Sequence, residues 1–320
     1  MVKDLTKPPT DNRSFCGVPV ANDLAALQAE IAILGIPYGT TYDVESPVNE
    51  CAGSPSAIRA RSGASMLYHH DFDIDAAVLN CDDRDIAIAD CGDVAGGPHP
   101  GDGETNRAMA TGAVKAILDA GAVPIVFGGD DSVPIPFFAA FEGRGPFTVV
   151  QVDAHLDWRD EIHGSRYGYS SPMRRASEMD WINGMVQIGL RGTGSARPQE
   201  VADARNWGSR LVTAREVREK GIAAALRHLP DGGEFLVTID CDGIDPADFP
   251  AVSSLAPGGV AYPEMLELIN GIAAKGRIAG LDIVEFGCDH DPSSGLGATV
   301  CARLAVTAIS AMIRSGQFHA

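Results

Sequence analysis

The stretch VVQVDAHLDWRD (residues 149–160) decides how this chain is read. A run of valines ends abruptly in Asp153, His155 and Asp157, spaced by two. In extended backbone, residues two apart project to one side. A valine run without polar alternation reads as a strand buried on both faces, as in a parallel sheet. In open sheets of that kind, ligands bind just beyond the carboxyl ends of the strands. The three polar side chains stand where this strand would leave the core.

The same reading extends along the chain. Short apolar runs at 31–38, 86–94, 123–130, 147–155, 185–192, 210–214, 235–242 and 278–286 are the expected strands. Helical patterns fall between them at 105–121, 133–142, 215–228, 262–275 and 298–315. Alternation of strand and helix implies an α/β protein with a mainly parallel sheet. No composition break or internal repeat divides it. The expected organisation is a polar, proline-containing arm over residues 1–25 and a single domain over 26–320.

Composition narrows the functional classes. Of 320 residues, 45% are hydrophobic and 21% charged, with a formal net charge of −18. Phosphate backbones need a basic face, so nucleic acid is excluded as a partner. An acidic balance suits a small cationic substrate. The seven cysteines are scattered without a CxxC pair, which reads as reduced thiols in a cytoplasmic protein. The N-terminal segment lacks the apolar core of a secretory signal, and no apolar run reads as a membrane span.

A second strand ends as the first does. TIDCDGIDP (residues 238–246) places Asp240 and Asp242 at alternate positions before an Asp-Pro turn. Carboxylates so close repel one another, and a divalent cation relieves the repulsion. Carboxylates with an imidazole suit manganese, and imidazole also suits nickel, iron or zinc. So many acidic ligands can hold two ions and acidify a water between them. A third segment, VFGGDDS (residues 126–132), follows another strand; alone it reads as a glycine turn with acids at a helix start.

Together these segments resemble the ureohydrolase family of agmatinases, guanidinobutyrases, proclavaminate amidinohydrolases and arginases. GGDDS stands where that family has GGDHS, DAHLD where it has DAHxD, and DCDGIDP where it has DxDxxDP. GIPYGTTYD from Gly35, AGSPSAIRARS from Ala52, DCGDV from Asp90 and LDIVEF from Leu281 extend the likeness over most of the chain. The resemblance implies an arginase-like three-layer α/β/α sandwich holding two divalent ions, Mn2+ or Ni2+. It implies Asp131, Asp153, His155, Asp157, Asp240 and Asp242 as metal ligands, with Asp153 and Asp240 bridging. It implies Glu285 as the partner of the substrate guanidinium and Asp157 as a proton shuttle to the leaving amine. The reaction implied is attack of activated water on the carbon of a guanidino or biguanide compound, giving urea or a urea-like product and an amine. Trimers, hexamers or related oligomers are implied as well.

The chain departs from the family at three places. Asp131 replaces the histidine of GGDHS, and an added negative charge leaves the bound water less acidic. Tyr169 falls where a catalytic histidine is expected, with His163 in the loop before it as the alternative. AVSSLAPGG from Ala251 replaces a glycine-rich segment, which implies a reshaped pocket wall. Two readings follow: an amidinohydrolase with an altered metal shell, or an impaired subunit that assembles with an active homologue, as in metformin-hydrolase-like complexes. Other polar tracts read as background. HHDFDID (residues 69–75) reads as a solvated acidic loop, and CDHD (residues 288–291) as a loop at the pocket entrance. Cys241 should point away from Asp240 and Asp242. Trp158 and Arg159 read equally as pocket wall or packing, and Arg174 and Arg175 as helix surface.

Overall fold

The computed structural model describes residues 5–40, 42, 49–80, 85–96 and 102–318. Cys81, and Thr41 and Asp43 of the GIPYGTTYD segment, lie outside them. The strands are β1 (Thr6–Lys7), β2 (Ile31–Gly35), β3 (His70–Asp71), β4 (Ala76–Ala77), β5 (Ile88–Val94), β6 (Val123–Phe127), β7 (Phe147–Val152), β8 (Ile182–Leu190), β9 (Arg210–Thr213), β10 (Gly233–Asp240) and β11 (Gly276–Val284). Nine of them form one sheet in the order β1-β5-β2-β6-β11-β10-β7-β8-β9. Only the edge strand β1 runs antiparallel to its neighbour; every other pairing in that sheet is parallel. Each strand expected from an apolar run is present, and β7 and β10 stop where their acidic exits begin.

Alternate residues of a strand feed opposite layers. Ile31, Ile33, Val150 and Val152 pack on one face, with Ala32, Leu34 and Val149 on the other. The first face is covered by α1 (Ser54–Arg61), α2 (Ser65–Tyr68), α7 (Ala214–Lys220), α8 (Ala223–Leu226), α9 (Tyr262–Lys275) and α10 (Leu296–Arg314). The second is covered by α3 (Gly103–Asp119), α4 (Pro134–Ala139), α5 (Pro172–Ala176) and α6 (Pro198–Trp207). This is the three-layer α/β/α sandwich that the strand–helix alternation implies.

Differences from the sequence reading have local causes. The helix expected over 215–228 is broken at Gly221, whose φ of 71° lies in the left-handed region. Helix α3 begins two residues early because Asp102 caps it, accepting from the Thr105 amide at 3.1 Å. Helix α6 escapes the pattern because Ala204 is its one buried residue. The segment read as a polar arm carries β1 and buries Phe15, whose ring lies 5.1 Å from that of Phe127. Helix α10 is long and apolar enough by composition to cross a membrane, but it is buried in the core against α1 and α9.

Candidate metal centre

Four adjacent strands, β6, β11, β10 and β7, discharge their carboxyl ends into one cavity of about 760 Å³. Asp153 follows β7 and is anchored to β8 by its amide, 2.9 Å from the Ile188 carbonyl. Asp240 ends β10 and accepts from the Asp242 amide at 2.8 Å. Asp242 accepts from the Ala154 amide at 3.1 Å, and Asp153 from the His155 amide at 2.5 Å. These turns press together so closely that a Cβ on Gly243 would lie 2.6 Å from the Asp153 nitrogen. Glycine is required there for want of space. Asp131 follows β6, and its amide donates to Glu285 Oε1 at 2.8 Å, joining the exits of β6 and β11.

Two groups of side chains result. Asp153, His155 and Asp242 form one; Asp131, Asp153 and Asp240 form the other, with the candidate ligand atoms of each group within 4.8 Å of one another. Asp153 belongs to both. His155 Nδ1 lies 3.0 Å from Asp242 Oδ2. Asp157 lines the same cavity, as does Glu285. Both take positive φ, 47° for Asp157 and 58° for Glu285. Such backbone is costly for residues with a Cβ and persists only where the surroundings impose it.

The electrostatics follow from packing acids without cations. Burial pushes the carboxyls of Asp131, Asp153 and Asp240 well above the usual range, and neighbouring carboxylates push them further. Glu285 is pushed up to about 8, first by burial and then by the charge of Asp130. For Asp242, burial acts upward, but the His155 hydrogen bond and charge outweigh it and hold it low. His155 is raised to about 9, chiefly by that same hydrogen bond. Both carboxylate oxygens of Asp131 are buried without a hydrogen-bond partner. Among the described lining residues the one Lys or Arg is Arg159, whose Nε is tied to Glu200.

The structure brings Asp131, His155, Asp157, Asp240, Asp242 and Glu285 to the wall of one cavity, with Asp153 fully buried against them. It leaves His163 out. His163 sits exposed beside a tight turn closed by reciprocal Ile162 and Ser165 backbone bonds, and it does not line the cavity. Tyr169 does line it, its ring centroid 4.6 Å from that of Tyr42. Trp158 and Arg159 are both wall residues. Cys241 turns away, its sulfur 3.8 Å from that of Cys301. CDHD sits at the entrance, where His290 Nε2 meets Glu50 Oε2 at 2.9 Å. HHDFDID makes the exposed β3–β4 hairpin. Arg174 pairs with Glu178 on α5, but Arg175 departs from the helix-surface reading: it is buried at 4% exposure and reaches Asp160 at 2.5 Å.

Sequence reasoning passed over Asp130, Cys51 and Gln151. Asp130 lines the cavity and accepts from Ser132. Cys51 reaches Glu285 Oε2 at 3.9 Å. Gln151 had a visible signal, being the polar residue within an otherwise apolar strand.

The fold and the site define an α/β sandwich with a carboxylate-rich centre at the carboxyl edge of its parallel sheet. Residues 29–311 match the model of the arginase family. The chain is 31% identical to proclavaminate amidinohydrolase of Streptomyces clavuligerus over 84% of this chain and 85% of that one. It is 30% identical to an agmatinase of Pyrococcus horikoshii over 82% of this chain and 85% of that protein. The solved structure of the Streptomyces clavuligerus amidino hydrolase superposes with a TM-score of 0.80 at 26% identity, covering 98% of this chain and 99% of that one. The chain belongs to the arginase family.

Proposed function

We propose that this chain carries a metal-dependent amidinohydrolase site that cleaves a linear C–N bond in a guanidino or biguanide compound. The products are urea or a urea-like fragment and an amine. The observation that carries the reading is the convergence of acids from four strand ends with no side-chain ion pair to a lysine or arginine among the described residues. Burying one carboxylate without a partner costs several kcal/mol, and a cluster of them is sustained when a cation supplies the missing charge. The donor set fits Mn2+ or Ni2+: carboxylates with one imidazole, and two buried Asp131 oxygens without a hydrogen-bond donor, facing the other acids. Asp131, Asp153, His155, Asp157, Asp240 and Asp242 would hold two such ions, which supply Lewis acidity and activate water.

The chain's own groups divide the remaining work. Acids lining the cavity, with Arg159 neutralised by Glu200, create a negative field that draws a small cationic substrate. Glu285 is held by the Asp131 amide and presents its carboxyl to the cavity, placed to pair with a guanidinium. Asp157 accepts from Gln151 while facing the cavity, a suitable position for passing a proton to the departing amine. The names of the related agmatinase and proclavaminate amidinohydrolase support the reaction class.

One feature favours a second reading, that of a supporting subunit in an oligomer with a paralogue. Aspartate at 131 is shorter than the histidine of related sites and adds negative charge where positive charge activates water. Purification of the chain alone, metal analysis and urea release from a panel of guanidines and biguanides separate the two. Retained metal with turnover that Asp153→Ala abolishes supports an active enzyme. Metal-free, inactive protein that becomes part of an active complex only with a GGDHS-bearing paralogue supports the subunit reading.

A further inference from the structure

Beneath the acid cluster, a polar row crosses the apolar layer of the sheet. Thr238 of β10 is paired in register with Gln151 of β7, and Gln151 with Gln187 of β8. Gln151 and Gln187 are fully buried, and Ser209, just before β9, is 5% exposed. Buried amides amid valines and isoleucines are costly unless every polar atom is matched. These are matched in one direction. Ser209 Oγ donates to Gln187 Oε1 at 2.8 Å. Gln187 Nε2 donates to Gln151 Oε1 at 2.7 Å and to the Leu156 carbonyl at 2.8 Å. Gln151 Nε2 donates to Asp153 Oδ2 at 2.7 Å and to Asp157 Oδ2 at 3.0 Å.

The polarity of this chain is fixed at both ends. The Leu156 carbonyl can only accept, so Gln187 must turn its nitrogen toward β7. Gln151 then meets Gln187 with its oxygen, which leaves its nitrogen for the carboxylates. One amide thereby holds one oxygen each of Asp153 and Asp157, while the other Asp153 oxygen accepts from the His155 amide and lies 3.4 Å from the His155 ring nitrogen. Were the Gln151 amide reversed, its oxygen would face two carboxylate oxygens. Gln187 also ties down Leu156, the residue between the two aspartates' turns.

We propose that Gln187 and Ser209 are positioning residues that act through Gln151 to orient the Asp153 and Asp157 carboxylates for metal. The proposal rests on the metal-site reading above. Partners of ligating carboxylates outside the metal shell commonly alter metal affinity by 10- to 100-fold, roughly, when removed. Gln187→Met keeps length and approximate volume, touches neither carboxylate and removes the relay. Ser209→Ala is the milder variant, for use if the first does not fold.

The measurements are manganese dissociation constants by titration calorimetry and metal-free melting temperatures, for wild type and both variants. Gln187→Met is expected to weaken manganese binding by about 10- to 100-fold and Ser209→Ala by a few-fold. Gln187→Met should also lower the metal-free melting temperature, because it strands the Gln151 and Leu156 oxygens, and Ser209→Ala should lower it less. A purely structural role would lower the melting temperature and leave the dissociation constant alone; affinities within about twofold of wild type in the folded variants would overturn the proposal. A wild-type chain that takes up no manganese would overturn the metal-site reading, and this proposal with it.

Discussion

Besides Asp282, buried within β11, two groups of buried carboxylates occupy this sheet, and they differ in what balances them. On β5, Asp90 and Asp93 surround Arg59 of α1. The Arg59 guanidinium donates to Asp90 at 2.8 and 2.9 Å and to Asp93 at 2.6 Å. Asp90 also accepts from the Phe15 and Gly92 amides, so its oxygens are satisfied. At the exits of β6, β10 and β7, Asp131, Asp153 and Asp240 are equally buried, but no arginine or lysine ion-pairs with their carboxylates among the described residues; Arg191 bonds the backbone carbonyl of Asp242 instead. Both groups cost desolvation energy. The first is repaid inside the chain and pins α1 to the sheet; the second is left short of positive charge, as a cation site must be.

The sharpest way to break the contrast is to exchange the consequences of losing one charge. Arg59→Met should destabilise the fold by about 3–5 kcal/mol, because it strands two buried carboxylates. Asp153→Asn in metal-free protein should leave stability unchanged or raise it, because it removes repulsion. Urea denaturation of the two variants checks this; a large loss in the second would mean that the acid cluster is internally balanced.

Manganese should next restore what the second group lacks. At a free concentration about 100 times the dissociation constant, one site stabilises the fold by about 2.7 kcal/mol. Asp153→Ala should lose that gain, whereas Asp90 and Asp93 should show no response to the ion. Thermal melts with and without manganese read the difference directly.

pH separates the groups further. His155 is raised from 6.5 to about 9 in the folded protein. The stability it confers on metal-free protein is therefore complete below pH 6.5 and declines as pH rises through about 9. Metal must displace that proton, so manganese affinity should climb over the same window. Opposite slopes of melting temperature and affinity with pH are the expected result, and parallel slopes would contradict His155 as a ligand.

Smaller effects sharpen the picture. Asp131→His should tighten manganese binding by about tenfold, or about 1.4 kcal/mol, by removing a repelling charge and lengthening the ligand. His163→Ala should change stability by no more than about 0.5 kcal/mol, and turnover hardly at all, since the residue is an exposed loop position outside the cavity.

Much of this centre was legible in one dimension because apolar runs that end abruptly in acids mark the carboxyl ends of parallel strands. The expected period-two alignment did not hold: β7 stops at Val152, Asp157 takes a φ of 47°, and Asp242 lies in the short 3-10 turn Cys241–Gly243, so the turns after the strands aim these side chains. The valine run before them marks a parallel strand, and ligands gather beyond such ends. Cys241 was expected in the core and packs against Cys301, although it stands in that turn and not in the strand. His163 could not be placed that way, because loop geometry after Asp157 has no period. Gln187 was invisible for another reason: its importance lies in a partner on a neighbouring strand, 36 positions away.

The amino-acid order by itself therefore determined the layered α/β architecture and the strand ends that carry acids, because burial periodicity and turn chemistry are local. Only the tertiary structure decided that β6, β11, β10 and β7 lie side by side, which acids meet an arginine and which meet one another. Strand order in a parallel sheet is set by crossover packing between distant segments, and charge balance is a property of that packing.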